Sequence, residues 1–119
     1  NKYHAEHTWV RIEGDTAWVG ITQHAQDTLG DIVFVDFAEV GKPFAQGAVA
    51  GVVESVKAAA DVHMPAGVEI LETNEALRAD PSLANSDPEG AGWFYKVKLS
   101  NAAELDGLMD AAAYQAVTG

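Results

Sequence analysis

Short runs of β-branched and aromatic residues recur along the whole chain, each closed by Gly, Pro, Asn or Asp. Thr8–Glu13 alternates polar and apolar side chains as a half-buried strand does, Glu13-Gly14-Asp15 turns, and Thr16–Ile21 returns as its hairpin partner. Asp31–Phe37, Ala48–Val56, Ala59–His63, Val68–Thr73 and Trp93–Leu99 read as further strands. In the last of these, Trp93, Tyr95, Val97 and Leu99 are expected on one face, and Phe94, Lys96 and Lys98 on the other. Helical patterns are short. Thr22 is placed to cap Gln23–Leu29, which Gly30 is expected to stop in a left-handed conformation. Glu75–Arg78 makes a helical turn, Pro81–Gly92 reads as a loop, and Asn101 is expected to cap a terminal helix through Leu105, Leu108, Met109 and Tyr114. Closely spaced strands with small helices at the edges predict a mainly β sandwich or flattened barrel. No internal repeat or linker divides the sequence, so residues 1–119 are expected to form a single domain.

Within this pattern, Val52–Asp61 holds the only basic residue between Lys42 and Arg78, which is Lys57. β-Branched residues precede it and three alanines follow, so a strand runs into a turn with the lysine at its tip. An amine displayed there is open to a modifying enzyme, and a group attached to it can swing between partners. A solvated turn lysine fits the same local pattern.

Charge and composition narrow the possible partners. Eighteen acidic residues against seven basic ones give a formal net charge of −11. Nucleic-acid binders need a basic footprint, and anionic membrane surfaces repel such a chain, so neither nucleic acid nor membrane is expected as a partner. Acidic excess favours solubility and partners with basic docking faces. No apolar run approaches a membrane span, and residues 1–7 do not read as a secretory signal. With no cysteine there is no disulfide framework and no thiolate zinc ligand. A chain without thiols also suits a reactive dithiol cargo, which would otherwise form mixed disulfides with it.

Self-sufficient catalysis finds no support. His4, His7, His24 and His63 show no spacing that favours zinc, so no metal site is expected. There is no Gly-x-Ser-x-Gly elbow, and Ser55 can equally accept local backbone hydrogen bonds. Gly30, Gly41, Gly47 and Gly51 are separated by strands and do not form a phosphate cradle; Trp9, Trp18 and Trp93 read as core. No catalytic residue is assigned. Such a protein would present a group for other enzymes to act on.

The segment Gly51-Val52-Val53-Glu54-Ser55-Val56-Lys57-Ala58-Ala59, followed by Asp61-Val62, closely resembles the lipoyl-attachment segment of the H protein of the glycine cleavage system. The resemblance runs through the chain in order. It includes His7-x-Trp9-Val10, Val19–Thr22 with His24-Ala25-Gln26, Leu29–Val35, Thr73–Leu77, Leu83–Trp93 and Leu105–Tyr114. Biotin carriers usually flank their lysine with methionines, and lipoyl domains of 2-oxoacid dehydrogenase acyltransferases usually place Asp directly before it. Lys57 has neither.

The resemblance implies a lipoyl/biotinyl-type barrel-sandwich hybrid of two antiparallel sheets, with short helices and a C-terminal helix. It implies that Lys57 carries lipoic acid as an amide, and that Glu54, Ser55, Val56, Ala58 and Asp61 form the motif read by a lipoate ligase or a lipoyl/octanoyl transferase. Glu6, Thr8, Thr28 and Asp61 become candidates for a cleft that receives the arm. The glycine decarboxylase (P protein) would pass the aminomethyl group of glycine to the arm. The aminomethyltransferase (T protein) would take the one-carbon unit, and dihydrolipoyl dehydrogenase (L protein) would reoxidise the arm. On this reading the chain is a non-catalytic carrier, expected as a monomer in the bacterial cytoplasm, or in the mitochondrial matrix if eukaryotic.

Several positions depart from the usual pattern. Thr8 stands where the family usually has a carboxylate, and Glu6, two residues earlier along the expected strand, would point the same way. Gln23 replaces a usual Asp, Ala60 a usual Ser and Glu89 a common Tyr. Pro65–Glu69 places glycine one residue early, so Val68 would be strained if its position needs a positive φ. Two other readings remain open from sequence: a relay that donates lipoyl or octanoyl groups to other lipoyl domains, and an unmodified interaction module.

Overall fold

The computed structural model describes residues 2–118. Its strands are β1 (Lys2–Tyr3), β2 (Thr8–Glu13), β3 (Thr16–Ile21), β4 (Ile32–Phe37), β5 (Pro43–Phe44), β6 (Val49–Ser55), β7 (Ala59–His63), β8 (Val68–Thr73) and β9 (Tyr95–Leu99). The helices are α1 (Gln23–Leu29), α2 (Glu75–Ala79), α3 (Leu83–Ser86) and α4 (Ala111–Thr118), with a 3-10 segment at Ala102–Gly107. Every ladder is antiparallel, and the strands form two sheets: β1-β2-β3-β9-β8-β5 and β4-β6-β7. This is the two-sheet, mainly β arrangement expected from the sequence.

The main core lies between the sheets, with Val10, Val19, Val53, Val62, Ile70, Phe94, Tyr95 and Val97 all fully buried. A second cluster joins Tyr3, Trp9 and Tyr114 and closes one end. Gly20 sits opposite Trp9 in the β2–β3 ladder, and a Cβ there would lie 2.9 Å from the indole. Only glycine leaves room for that ring, whose Nε1 donates to the Pro88 carbonyl at 2.9 Å.

Tyr95 joins the two sheets. From β9 its hydroxyl donates to the Ala50 carbonyl on β6 and accepts the Ala38 N–H at 2.8 Å, just beyond β4. Gly51 permits this approach. Its φ is 139°, and a Cβ there would fall 2.7 Å from both the Tyr95 hydroxyl and the Asp36 carbonyl oxygen.

Several local expectations need correction. Pro81–Gly92 contains α3, a single helical turn too short to leave a period in the sequence. The C-terminal segment is not one helix: a 3-10 stretch ends at Gly107, Met109 exchanges backbone hydrogen bonds with Tyr3, and only then does α4 begin. Asn101 makes no side-chain cap there. Phe94, expected on the same face as Lys96 and Lys98, is fully buried because it precedes β9, where strand alternation does not apply. Gly30 ends α1 with φ 81° and ψ −154°, a mirror-extended conformation rather than a left-handed helical one. Neither Gly67 nor Val68 has a positive φ, so Val68 carries no such strain. The Gly67 N–H donates to Glu104 Oε1 at 2.9 Å, and a Cβ there would lie 2.8 Å from that oxygen, at the end of a side chain able to shift.

Replacing Tyr95 by Phe strips partners from the buried Ala50 carbonyl and the half-buried Ala38 N–H. A loss of about 1–3 kcal/mol in urea unfolding is expected. Burial of the phenol is the main cause that pushes its pKa from 10.0 up to about 12. The folded protein thus holds the neutral form, so this contribution is complete below pH 10 and lost as pH rises through about 12. The alkaline fall in stability should be shallower in Tyr95→Phe.

Candidate functional site

The β6–β7 hairpin turns through Val56-Lys57-Ala58. Ser55 closes it. Its Oγ accepts the N–H groups of Lys57 at 3.2 Å and Ala58 at 3.1 Å and donates to the Ala58 carbonyl at 3.0 Å, while the Ser55 N–H donates to the same carbonyl at 2.7 Å. A hydroxyl at this position thus satisfies a tight turn that the backbone alone would leave open. Val56 N–H donates to the Asp31 carbonyl at 3.0 Å, which fastens the turn to the segment entering β4. Lys57 is exposed, and it enters no ion pair among the described residues.

Support reaches the turn from α3. Asn85 Nδ2 donates to Gln26 Oε1 at 2.9 Å and to the Gly30 carbonyl at 2.8 Å, while its Oδ1 accepts the Ile32 N–H at 2.8 Å. One amide therefore fixes the end of α1 against the start of β4. Gly30 also underlies the lysine stem: a Cβ there would lie 3.0 Å from Lys57 Cε and 3.6 Å from Nζ. The side chain thus lies over the end of α1, whose Leu29 also lines a cleft.

That cleft has a volume of about 330 Å³. Its apolar wall comprises Ile21, Ala25, Leu29, Val53 and Val62, and its polar rim comprises Glu6, His7, Thr8, His24, Thr28, Asp61 and His63. All four residues proposed from the sequence as arm-cleft candidates, Glu6, Thr8, Thr28 and Asp61, line this one cavity. Of the attachment-motif residues, Glu54, Val56, Ala58 and Asp61 are exposed and Ser55 is half-buried.

The route by which Glu6 arrives differs from expectation. It does not lie on the strand of Thr8, because β2 begins only at Thr8. Residues 4–7 form a turn instead, in which the His7 N–H donates to the His4 carbonyl at 2.9 Å and His7 takes φ 66°. His7 is the only non-glycine residue with positive φ among those described, and histidine tolerates that region better than most side chains. Thr8 itself is buried, its hydroxyl donating to the His63 carbonyl at 2.9 Å.

The histidines are what sequence spacing missed. His7, His24 and His63 all line the cleft although 17 residues or more separate successive members in the chain. The His7 and His24 rings tilt at 45° with centroids 4.7 Å apart. His7 Nδ1 lies 2.6 Å from the Tyr114 hydroxyl, which lies 2.7 Å from Thr22 Oγ1, the oxygen that accepts the Ala25 N–H. Helix α4 is thereby linked to the cleft through a chain of hydroxyls. Among the described residues, no group of three or more histidine and carboxylate side chains is arranged to hold a metal ion.

Two departures noted in the sequence meet at the start of α1. Glu89 Oε2 accepts the Gln23 N–H at 3.1 Å, and its Oε1 accepts the Tyr3 hydroxyl at 2.8 Å. The carboxylate that the usual Asp would bring to this helix N-terminus comes here from Glu89, where it meets unpaired N–H groups.

Burial is the main cause that lowers the His7 pKa, with His24 adding to it and Glu6 opposing; burial likewise lowers His4, aided by His63 and opposed by Glu6. Folding therefore favours neutral imidazoles, a contribution complete above pH 6.5 and lost as pH falls below it. In a ¹H–¹³C NMR titration both rings should change charge below pH 6.5, and His7→Gln should flatten the fall in melting temperature on acidification.

The profile of the family described as Glycine cleavage H-protein matches residues 1–119. The glycine cleavage system H protein of Chromobacterium violaceum is 59% identical over 114 residues, covering 95% of this chain and 89% of that one. The protein of the same name from Bradyrhizobium diazoefficiens is 53% identical over 116 residues, covering 98% and 95%. The crystal structure of a glycine cleavage system H protein from Mycobacterium marinum matches with a TM-score of 0.89 at 38% identity, over 98% of this chain and 94% of that one.

Proposed function

Because the chain belongs to the glycine cleavage H-protein family, we infer that it is the lipoyl-carrying subunit of the glycine cleavage system, with Lys57 as the attachment point. The observation that carries the assignment of Lys57 is its place: an exposed amine on a turn held by Ser55 and Asp31, its stem lying over Gly30 at the end of α1.

The residues present suit a lipoyl group. The apolar wall of Ile21, Ala25, Leu29, Val53 and Val62 matches a hydrocarbon chain and a ring of sulfur and carbon, and the chain has no cysteine that would exchange with a disulfide. When bound, the group supplies the disulfide that accepts the aminomethyl fragment of glycine and is left reduced. The protein's own tasks are to hold the tether at a defined point, shelter its end from water, and release it to partners. Its partners in this reading are the glycine decarboxylase, the aminomethyltransferase and dihydrolipoyl dehydrogenase, together with the lipoate ligase or lipoyl/octanoyl transferase that modifies Lys57. The hard chemistry belongs to their cofactors. The bacterial cytoplasm is the proposed location, in keeping with the bacterial sources of the relatives.

Cleft electrostatics fit a cationic cargo. Glu6 and Asp61 place carboxylates on the rim, and burial, with the neighbouring His24 adding to it, holds His7 toward its neutral form. Glu6 thereby brings to the cleft the negative charge that Thr8 lacks. In Glu6→Gln, hydrolytic release of the aminomethyl unit from the loaded protein should be about fivefold faster, as loss of roughly 1 kcal/mol of screened attraction predicts. Glu13→Gln, away from the cleft, should leave the release rate unchanged.

Incubation with lipoate, ATP and a lipoate ligase tests the attachment point directly. Intact mass should rise by one lipoyl group in the wild type and not at all in Lys57→Arg. Modification of the arginine variant would remove Lys57 from this role.

A further inference from the structure

Three exposed apolar side chains gather beside the lysine turn. Val33 is 54% exposed, Phe34 50% and Val56 67%. Their grouping has a structural cause. The β4–β6 ladder pairs Ile32 with Ser55 and Phe34 with Glu54, so an extra residue, Val33, is inserted between adjacent rungs. Such a bulge turns two consecutive side chains to the same side of a sheet, where regular alternation would bury one of them. Ile32 and Val35 on either side remain buried. The Val56 N–H bond to the Asp31 carbonyl holds the third member of the group beside β4.

The same outer face is strongly acidic. Phe34 lies opposite Glu54, which lies opposite Ala59; the neighbouring row runs Asp36, Val52, Asp61. Asp31, Asp36, Glu54 and Asp61 are all exposed. An apolar knob ringed by carboxylates fits a partner that offers an apolar socket bordered by Lys or Arg.

We propose that Val33, Phe34 and Val56 form the docking knob for the enzyme that acylates Lys57, with Asp36, Glu54 and Asp61 steering its basic rim. The inference rests on the carrier reading of Lys57 and adds to it a surface on a different strand. Its choice of partner follows from distance. An enzyme that forms the amide at Nζ must enclose the turn itself, and Val56 is the residue directly before the lysine. An enzyme that acts on the far end of a flexible tether needs no contact at its root. In the ligase reaction the amine attacks the carbonyl of the activated acyl group, the amide forms, adenylate leaves, and the amine gives up a proton. The knob takes no part in these bonds and acts through binding.

The test compares lipoylation kinetics of wild type and Val33→Ser/Phe34→Ser, with a lipoate ligase, lipoate and ATP, read by intact mass. The variant should show KM raised about tenfold, as loss of a partly buried phenylalanine and valine at an interface predicts, with kcat within about twofold of wild type. Added salt should lower kcat/KM of the wild type, and Glu54→Gln/Asp36→Asn should blunt that dependence. Ile12→Ser, which removes an exposed apolar residue from β2, should change nothing. If the double variant loses stability, Val33→Ser and Val56→Ser singly carry the same comparison. No acylation of wild type would defeat the carrier reading. Acylation of the variants with unchanged KM would defeat the docking inference alone. It would also be overturned if lipoylated Val33→Ser/Phe34→Ser lost reoxidation by dihydrolipoyl dehydrogenase to the same degree, or if sedimentation showed a wild-type dimer that the variant abolishes.

Discussion

Two hydroxyls at the seam between the sheets, those of Tyr95 and Thr8, underlie the placement of the lysine turn and the cleft. The smaller sheet, β4-β6-β7, shares no backbone ladder with the larger one. Apolar packing holds the two together, but such packing is non-directional and tolerates sliding. Alongside the Thr8 hydroxyl, which donates to the His63 carbonyl on β7, the Tyr95 hydroxyl, fixed between the Ala38 N–H and the Ala50 carbonyl, sets their relative position. It reaches that point only because Gly51 has no side chain. Since β6 carries the lysine turn, the position of Lys57 relative to the larger sheet depends on this junction.

From there a short chain of polar contacts determines where the turn sits. Asn85 ties the end of α1 to the start of β4, the Asp31 carbonyl receives the Val56 N–H, and Ser55 closes the turn. Each link joins a helix or strand, or a residue directly adjoining one, so little conformational freedom is left to lose when a partner docks. The arrangement combines a rigid root with a free amine. That combination suits a tethered cargo, whose tip must move while its origin does not.

Residue by residue, the chain's legibility followed the range of the forces involved. The β2–β3 hairpin, β7, β8 and helix α1 with its Thr22 cap lie where the sequence pattern put them, because alternation and capping act within a few residues. Helix α3 and the two-residue strands β1 and β5 left no readable period. The break at Gly107–Met109 depends on Met109 pairing with Tyr3 at the far end of the chain, which no local window contains. Glu6 was placed near Thr8 by the assumption of a continuous strand; the turn at His4–His7 brings it to the same cleft by another path.

Lys57 at the tip of a serine-closed hairpin was written in the sequence, since the turn satisfies its hydrogen bonds from its own neighbours. The family likeness was written there as well, spread over segments in a constant order. The cleft was not. Its rim draws on residues 6–8, 24–28 and 61–63, and the His7 ring meets His24 only once the chain has folded. Contacts across such separations depend on the register of whole strands and the fit of a core, quantities that belong to the folded chain rather than to any stretch of it.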